Sequence, residues 1–196
     1  FYKNTSTTEE GDEYQKEIEM VKSAVDKDGD GIDDYTDILE SALDYVDTKP
    51  KYESRYYQGG YPDDGYGVCT DVVAAAMKGA GYDLMELVSE DIEENREDYN
   101  IKKPDPNIDY RRVRNLQVFF MHKAKSLTTR ISNIEEWQGG DIVIFKSHIG
   151  IVSDRRNKKG VPYIIHHGRV GQRKYEEDYL RKHKNEIVGH YRWDME

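Results

Sequence analysis

Apolar residues recur along this chain with two different periods, and the change of period divides it. In the first two-thirds they fall three and four residues apart, as on one face of a helix. Tyr14, Ile18, Val21 and Val25 predict a helix over residues 10–25, and Ile38, Leu39, Ala42 and Val46 a second one. A third opens at Cys69, runs through 70–78 and is stopped by Gly79 and Gly81. Residues 84–94 and 110–125 continue the pattern, the latter with Val113, Leu116, Phe119 and Phe120. In the last third, short β-branched runs at 141–145, 148–153, 161–166 and 187–193 predict strands, with a helix at 175–184 before the last of them. Residues 47–67 read as a Tyr/Gly/Pro loop. Residues 102–109 hold two prolines and are expected to be extended or looped. Helices first and antiparallel strands later predict an α+β domain.

Charge changes this picture at one end only. The chain of 196 residues carries a net charge of -10, yet residues 51–196 hold 24 acidic and 24 basic residues. Residues 1–50 hold 15 acidic against 5 basic, so the whole excess sits there. The expected organisation is a disordered lead-in at 1–9, an acidic helix–loop–helix extension at 10–47 and a main domain at 48–196. A charge-balanced main domain argues against a nucleic-acid partner, since phosphates demand clustered Lys and Arg. No apolar run is long enough to span a bilayer. A lone cysteine excludes an internal disulfide framework and any CxxC motif. The chain starts at Phe1, and the expectation is an extracellular or cell-envelope protein, monomeric, with its signal segment removed.

Residues 26–37, DKDGDGIDDYTD, place carboxylates at positions 1, 3, 5, 9 and 12 of a twelve-residue loop: Asp26, Asp28, Asp30, Asp34 and Asp37. Gly31 stands at position 6, and the Ile32 carbonyl supplies the backbone ligand at position 7. Calcium takes six to eight hard oxygen ligands, and this EF-hand-like spacing wraps a chain around one ion. Position 12 is Asp where the longer Glu is usual. A structural calcium ion is the expectation.

Cys69 follows a glycine-rich loop and starts a helix, where unpaired N–H groups stabilise a thiolate and lower its pKa. A lone cysteine is also a common small core residue. A nucleophilic one needs an imidazole nearby. If strands 148–153 and 161–166 form a hairpin centred on Asn157, His148 lies directly opposite His166, on one face, with Cβ atoms about 4.5–5.5 Å apart. A one-residue slip separates them. His167 faces the other way. Serine-elbow, HExxH, P-loop and dinucleotide motifs are absent.

The segments YGVCTDVV (66–73), PNIDYRRVRNL (106–116), WQGGDIVIF (137–145), HIGIVSD (148–154) and IIHHG (164–168), in this order, resemble a bacterial family of unassigned function within the NlpC-type, papain-like cysteine peptidase superfamily. The resemblance covers residues 35–193. It implies a nucleophile helix packed on an antiparallel sheet, with Cys69 as nucleophile, His148 as general base and His166 as the residue orienting that base. His167 stands where such enzymes often carry asparagine, which leaves the orienting residue open between the two. The family resemblance also implies peptidoglycan peptides as substrate. Asp71 replaces the glycine usual two residues after the cysteine. Asp109, Arg111 and Arg112 fit either recognition of a substrate carboxylate or a structural salt-bridge cluster, and Tyr66 fits either a hydrogen bond to substrate or packing. Two other functions remain open: a calcium-stabilised, non-catalytic module that binds cell-wall or glycopeptide ligands, and a protein deamidase or transferase on the same scaffold.

Overall fold

The computed structural model describes residues 6–194. Helix α1 (Asp34–Asp47) buries Ile38, Leu39, Ala42 and Val46, the stripe its period predicts. Two short parallel strands, β1 (Lys51–Tyr52) and β2 (Tyr66–Gly67), close the loop between them. Helix α2 (Cys69–Gly79) follows at once, then α3 (Leu84–Glu94), α4 (Arg96–Tyr99), α5 (Pro106–Asp109) and α6 (Val113–Lys123). The remaining elements are β3 (Lys125–Ser126), β4 (Ile142–Phe145), β5 (Ile149–Arg156), β6 (Pro162–Ile165), β7 (Glu176–Glu177), α7 (Tyr179–Lys182) and β8 (Ile187–Arg192). Together β3-β8-β4-β5-β6-β7 form one six-stranded antiparallel sheet, so the fold is α+β as expected.

The sheet is buried on both faces, which explains why β4 reads IVIF without polar alternation. Ile142, Ile144, Ile149 and Ile151 join Val73 and Met77 of α2 and Phe119 of α6 in the main core. Val143, Phe145, Val152 and Ile164 face the opposite way, against Trp137 and Leu180. Helix α1 packs on α2, and α2 on β5, which holds the start of α2 against the middle of the sheet. Beneath β4 and β8 lies a buried polar network. Asp141 accepts from Arg192 Nε at 2.7 Å and Nη2 at 2.8 Å, and its Oδ2 lies 2.7 Å from His190 Nε2. The His190 ring stacks on Trp137 at 3.8 Å.

Four expectations need correction. Residues 10–25 form no helix, so α1 has no helical partner before the acidic loop. Their backbone is spent on the domain instead: Tyr14 N–H bonds the Arg156 carbonyl and Val21 N–H bonds Gln138 Oε1. Residues 1–5 of the expected lead-in lie outside the described residues, but 6–9 are ordered along the sheet edge. Glu9 N–H bonds the Glu176 carbonyl, and Thr7 O accepts from the amides of Tyr175 and Glu176. Third, residues 102–109 end in a turn of helix, α5, because Pro106 at its first position and the Asp105 side chain as its cap favour one. Fourth, the helix expected at 175–184 shrinks to α7, because Glu176 and Glu177 pair with Ile165 and Ile164 as an edge strand.

Asp141→Ala strands a buried arginine without its carboxylate, and should lower unfolding free energy by about 3–5 kcal/mol in urea titrations.

Candidate active site

Cys69 is the first residue of α2, and a buried ion pair sets its position. Arg111 donates through Nε (3.0 Å) and Nη2 (2.9 Å) to the two oxygens of Asp71, both side chains being 3% exposed. Asp71 also accepts from the Val68 amide at 2.7 Å, which caps the helix. Arg111 Nη1 reaches the Arg55 carbonyl, and its guanidinium lies over Tyr57. The pair therefore ties the loop before α2, the start of α2 and the segment after α5 into one unit. Of the two roles open to Arg111, the structural one is observed. Asp109 likewise turns inward, accepting from the Asp105 amide at 2.7 Å, with its carboxyl pushed up by burial. Arg112 is exposed ahead of α6.

His148 and His166 come together, though not in the expected register. Ile151 pairs with Ile165 and Val152 with Ile164, a displacement of two residues from the hairpin centred on Asn157. Gly150 thus lies nearest His166, where a Cβ on the glycine would meet the His166 Cβ at 3.3 Å. A shift of two preserves the face, and the two rings meet diagonally. His148 Nε2 lies 2.9 Å from His166 Nδ1, and His166 Nε2 lies 2.6 Å from Glu177 Oε2. Arg169 grips the same carboxylate at 2.8 and 3.2 Å. The ring of Tyr179 covers both histidines, at 5.2 and 4.5 Å between centroids.

Glu177 fixes the protons along this chain. Burial pushes its carboxyl up, but hydrogen bonds from His166 and Arg169 outweigh burial and hold it at about 2, so it is an acceptor only. His166, pulled down by burial and therefore neutral, must then carry its proton on Nε2 and accept at Nδ1. His148 must donate from Nε2. Its pKa falls to about 3, mainly through burial and then because a second proton would face the neighbouring His166, so its Nδ1 holds a lone pair with no partner among the described residues. That nitrogen is the one basic atom the relay leaves over.

Cys69 is 9% exposed, and the amide of Ile149, next in the chain after His148, faces its sulfur together with the amides of Thr70 and Cys69. Burial overrides these amides, with Asp71 adding to it, and pushes the thiol up to about 11. This corrects the lowering expected from the helix terminus: the resting site holds a thiol and a neutral imidazole. His167 points away from His166, as expected, packing edge-on against Tyr52 at 5.1 Å. Its Nδ1 is buried without a hydrogen-bond partner among the described residues, and burial pulls its pKa down to about 4. Burial pushes the Tyr52 hydroxyl up. Both rings line a cleft of about 1080 Å³ with Tyr66 and Tyr175, and Tyr66 lies under the Arg55 guanidinium at 3.5 Å.

Glu177 and Arg169 were not among the expected site residues. One signal points to Glu177: a histidine that orients a base needs an acceptor, and Glu176 and Glu177 are the first acids after His166 in the chain.

A family described as "Domain of unknown function (DUF1287)" matches residues 39–193. The chain belongs to this family. It is 39% identical over 153 residues to the "Uncharacterized protein YijF" of Escherichia coli (strain K12), a stretch covering 74% of this chain and 72% of the relative. No solved structure matches it. The span matched to DUF1287 takes in Cys69, His148, His166 and Glu177 and starts after the acidic loop. Among the described residues no helix is long and apolar enough to cross a membrane.

For this DUF1287 member, alkylation of Cys69 by iodoacetamide should accelerate about tenfold per pH unit from 7 to 10, because only the thiolate reacts. A rate already at plateau below pH 7 would show a resting thiolate and contradict the burial described above.

Proposed function

We propose that this protein is a cysteine-dependent amide hydrolase on a papain-like, NlpC-type scaffold, acting on bacterial cell-wall peptides in the extracellular or envelope space. The observation that carries the reading is the relay from Glu177 through His166 to His148, next in the chain to the amide that faces the Cys69 sulfur. A relay of this kind leaves a directed lone pair on the terminal imidazole, as a general base requires.

Because the thiol and the imidazole are both neutral at rest, proton transfer accompanies attack. His148 Nδ1 takes the thiol proton as sulfur bonds to the amide carbonyl carbon. The N–H groups at the start of α2 receive the oxyanion. The tetrahedral adduct collapses as His148 returns the proton to the leaving amine, giving a thioester. Water, deprotonated by the same nitrogen, then releases the acid and restores the thiol. Support for a peptide substrate comes from the cleft that Tyr52 and His167 line. Its rim carries Lys49, Lys51 and Lys174 as well as Glu9 and Glu53, and its walls are tyrosine rings. Both signs of charge suit chains that bear free amines and carboxylates together.

The second reading is a non-catalytic module that holds such peptides in the same cleft. The high thiol pKa is the observation in its favour. Turnover of purified muropeptides separates the two. Wild type should release cleaved peptide, Cys69→Ala and His148→Ala should release none, and Glu177→Gln should lose roughly 10²–10⁴-fold in kcat, the range of general acid–base catalysis. Equal release by wild type and Cys69→Ala would sink the hydrolase, and binding without release by every variant supports the module.

A further inference from the structure

Of the six aspartates of residues 26–37, Asp33 and Asp34 bond groups outside the loop, while Asp26, Asp28 and Asp30 accept only amides of the loop itself. Asp33 accepts from the Ser23 amide at 2.9 Å and from Thr36 Oγ1 at 2.6 Å, and it pairs with Lys22 at 3.4 Å. Asp34 is 2% exposed, takes the Lys27 amide at 2.8 Å and receives the Tyr82 hydroxyl. Burial and the bond from the Tyr82 hydroxyl hold Asp34 in the core between α1 and Tyr82, so its expected role as a metal ligand gives way to that of a structural acceptor. Asp26, Asp28 and Asp30 each present a carboxylate oxygen within 4.8 Å of the others, on an exposed loop. No Lys or Arg pairs with them among the described residues. Lys27 turns instead toward the Tyr82 ring, 5.9 Å away.

Asp37 is the independent sign of a ligand. It lies on the first turn of α1, is 6% exposed, and its Oδ2 is buried with no hydrogen-bond partner among the described residues. The charges that act on it come from Asp30, Asp28, Asp26 and Asp34, in that order. A buried carboxylate that faces three others and has nothing to pair with is costly to fold, and a cation between them removes the cost. We propose that Asp26, Asp28, Asp30 and Asp37, with the Ile32 carbonyl by its place in the loop, bind one calcium ion.

Four carboxylates and a backbone carbonyl are hard oxygen donors suited to calcium's loose, high coordination, whereas magnesium demands a near-ideal octahedron. The glycines at 29 and 31, with φ of +77° and +94°, let the backbone turn around the ion. The ion's effect is conformational. Loop residues Lys27 and Asp28 lie against Gly81, just past the end of α2, where a Cβ would meet Asp28 Cβ at 3.1 Å. Calcium therefore fastens the loop to α1 through Asp37 and holds it over the far end of the helix that starts with Cys69. This site is separate from the hydrolase reading, and its test does not depend on turnover.

Metal-free protein, prepared with a chelator, is titrated with calcium by calorimetry and by thermal unfolding. Binding is expected at a Kd on the order of 10⁻⁴–10⁻³ M, as in extracellular calcium modules. At a hundredfold excess over Kd the folded state gains about 100-fold, read as a Tm rise of roughly 5–10 °C. Asp37→Asn removes the orphaned charge, so its metal-free Tm should equal or exceed that of wild type while the calcium-induced rise disappears. Asp34→Asn should lower the metal-free Tm and keep the rise. No heat and no Tm rise at 10 mM calcium would overturn the site, as would an Asp37→Asn variant that responds like wild type. An equal response to magnesium would overturn the choice of calcium.

Discussion

The carboxylate of Glu177 is the constraint on which the candidate site depends. It is an acceptor with two charged or polar donors, Arg169 and His166, and it determines which nitrogen of His166 bears a proton. That choice passes to His148 through the 2.9 Å contact between the rings, and ends on His148 Nδ1. Neither histidine could select its own tautomer, since each ring nitrogen is equally able to donate or accept. The low exposure that pulls both imidazoles down also keeps them neutral, so the chain of protons is defined without a buried positive charge. A structural role for this relay is the alternative use of the same geometry. Its termination in a lone pair with no partner among the described residues is the feature on which the proposed hydrolase rests.

At the other side of the site, the Asp71–Arg111 pair plays the matching part for Cys69. It holds the first turn of α2 by its cap and connects it to the segment around α5. Burying this pair is expensive in itself, because two charges leave water. What it provides is a fixed origin for the helix that carries Cys69. The core arrangement supports the same end, since α1 packs on α2 and α2 on β5, the strand that begins just after His148.

Much of this was readable along the chain wherever burial leaves a periodic trace. The stripes of α1, α2, α3 and α6 and the β-branched runs of β4, β5, β6 and β8 mark elements with large apolar faces. His148 and His166 were legible because two neighbouring strands bring them to one face in either register that differs by two residues, and Cys69 because it opens an apolar helical stripe after a glycine-rich loop. The displacement of the hairpin by two residues stems from the irregularity between Val152 and Arg156, which no local residue announces. Glu177 was hidden because edge strand β7 is two residues of charged sequence, with a period too short to read. The segment 10–25 failed for the opposite reason: its four apolar positions fit a helix, but backbone bonds to a sheet edge and to Gln138 win over so small a stripe, leaving Met20 and Val21 exposed. The resemblance to a family of unassigned function was sound, and the roles of Asp71 and Arg111 emerged only from their mutual geometry.

The central claim is a proton order, and nitrogen-15 NMR of histidine-labelled protein reads it without a substrate. At pH 7, His148 and His166 are expected to be neutral and protonated at Nε2, with an unprotonated, basic Nδ1 on His148, and Glu177→Gln should scramble that order. A charged His148, or one protonated at Nδ1 in the wild type, would contradict the relay and leave the proposed hydrolase without its base.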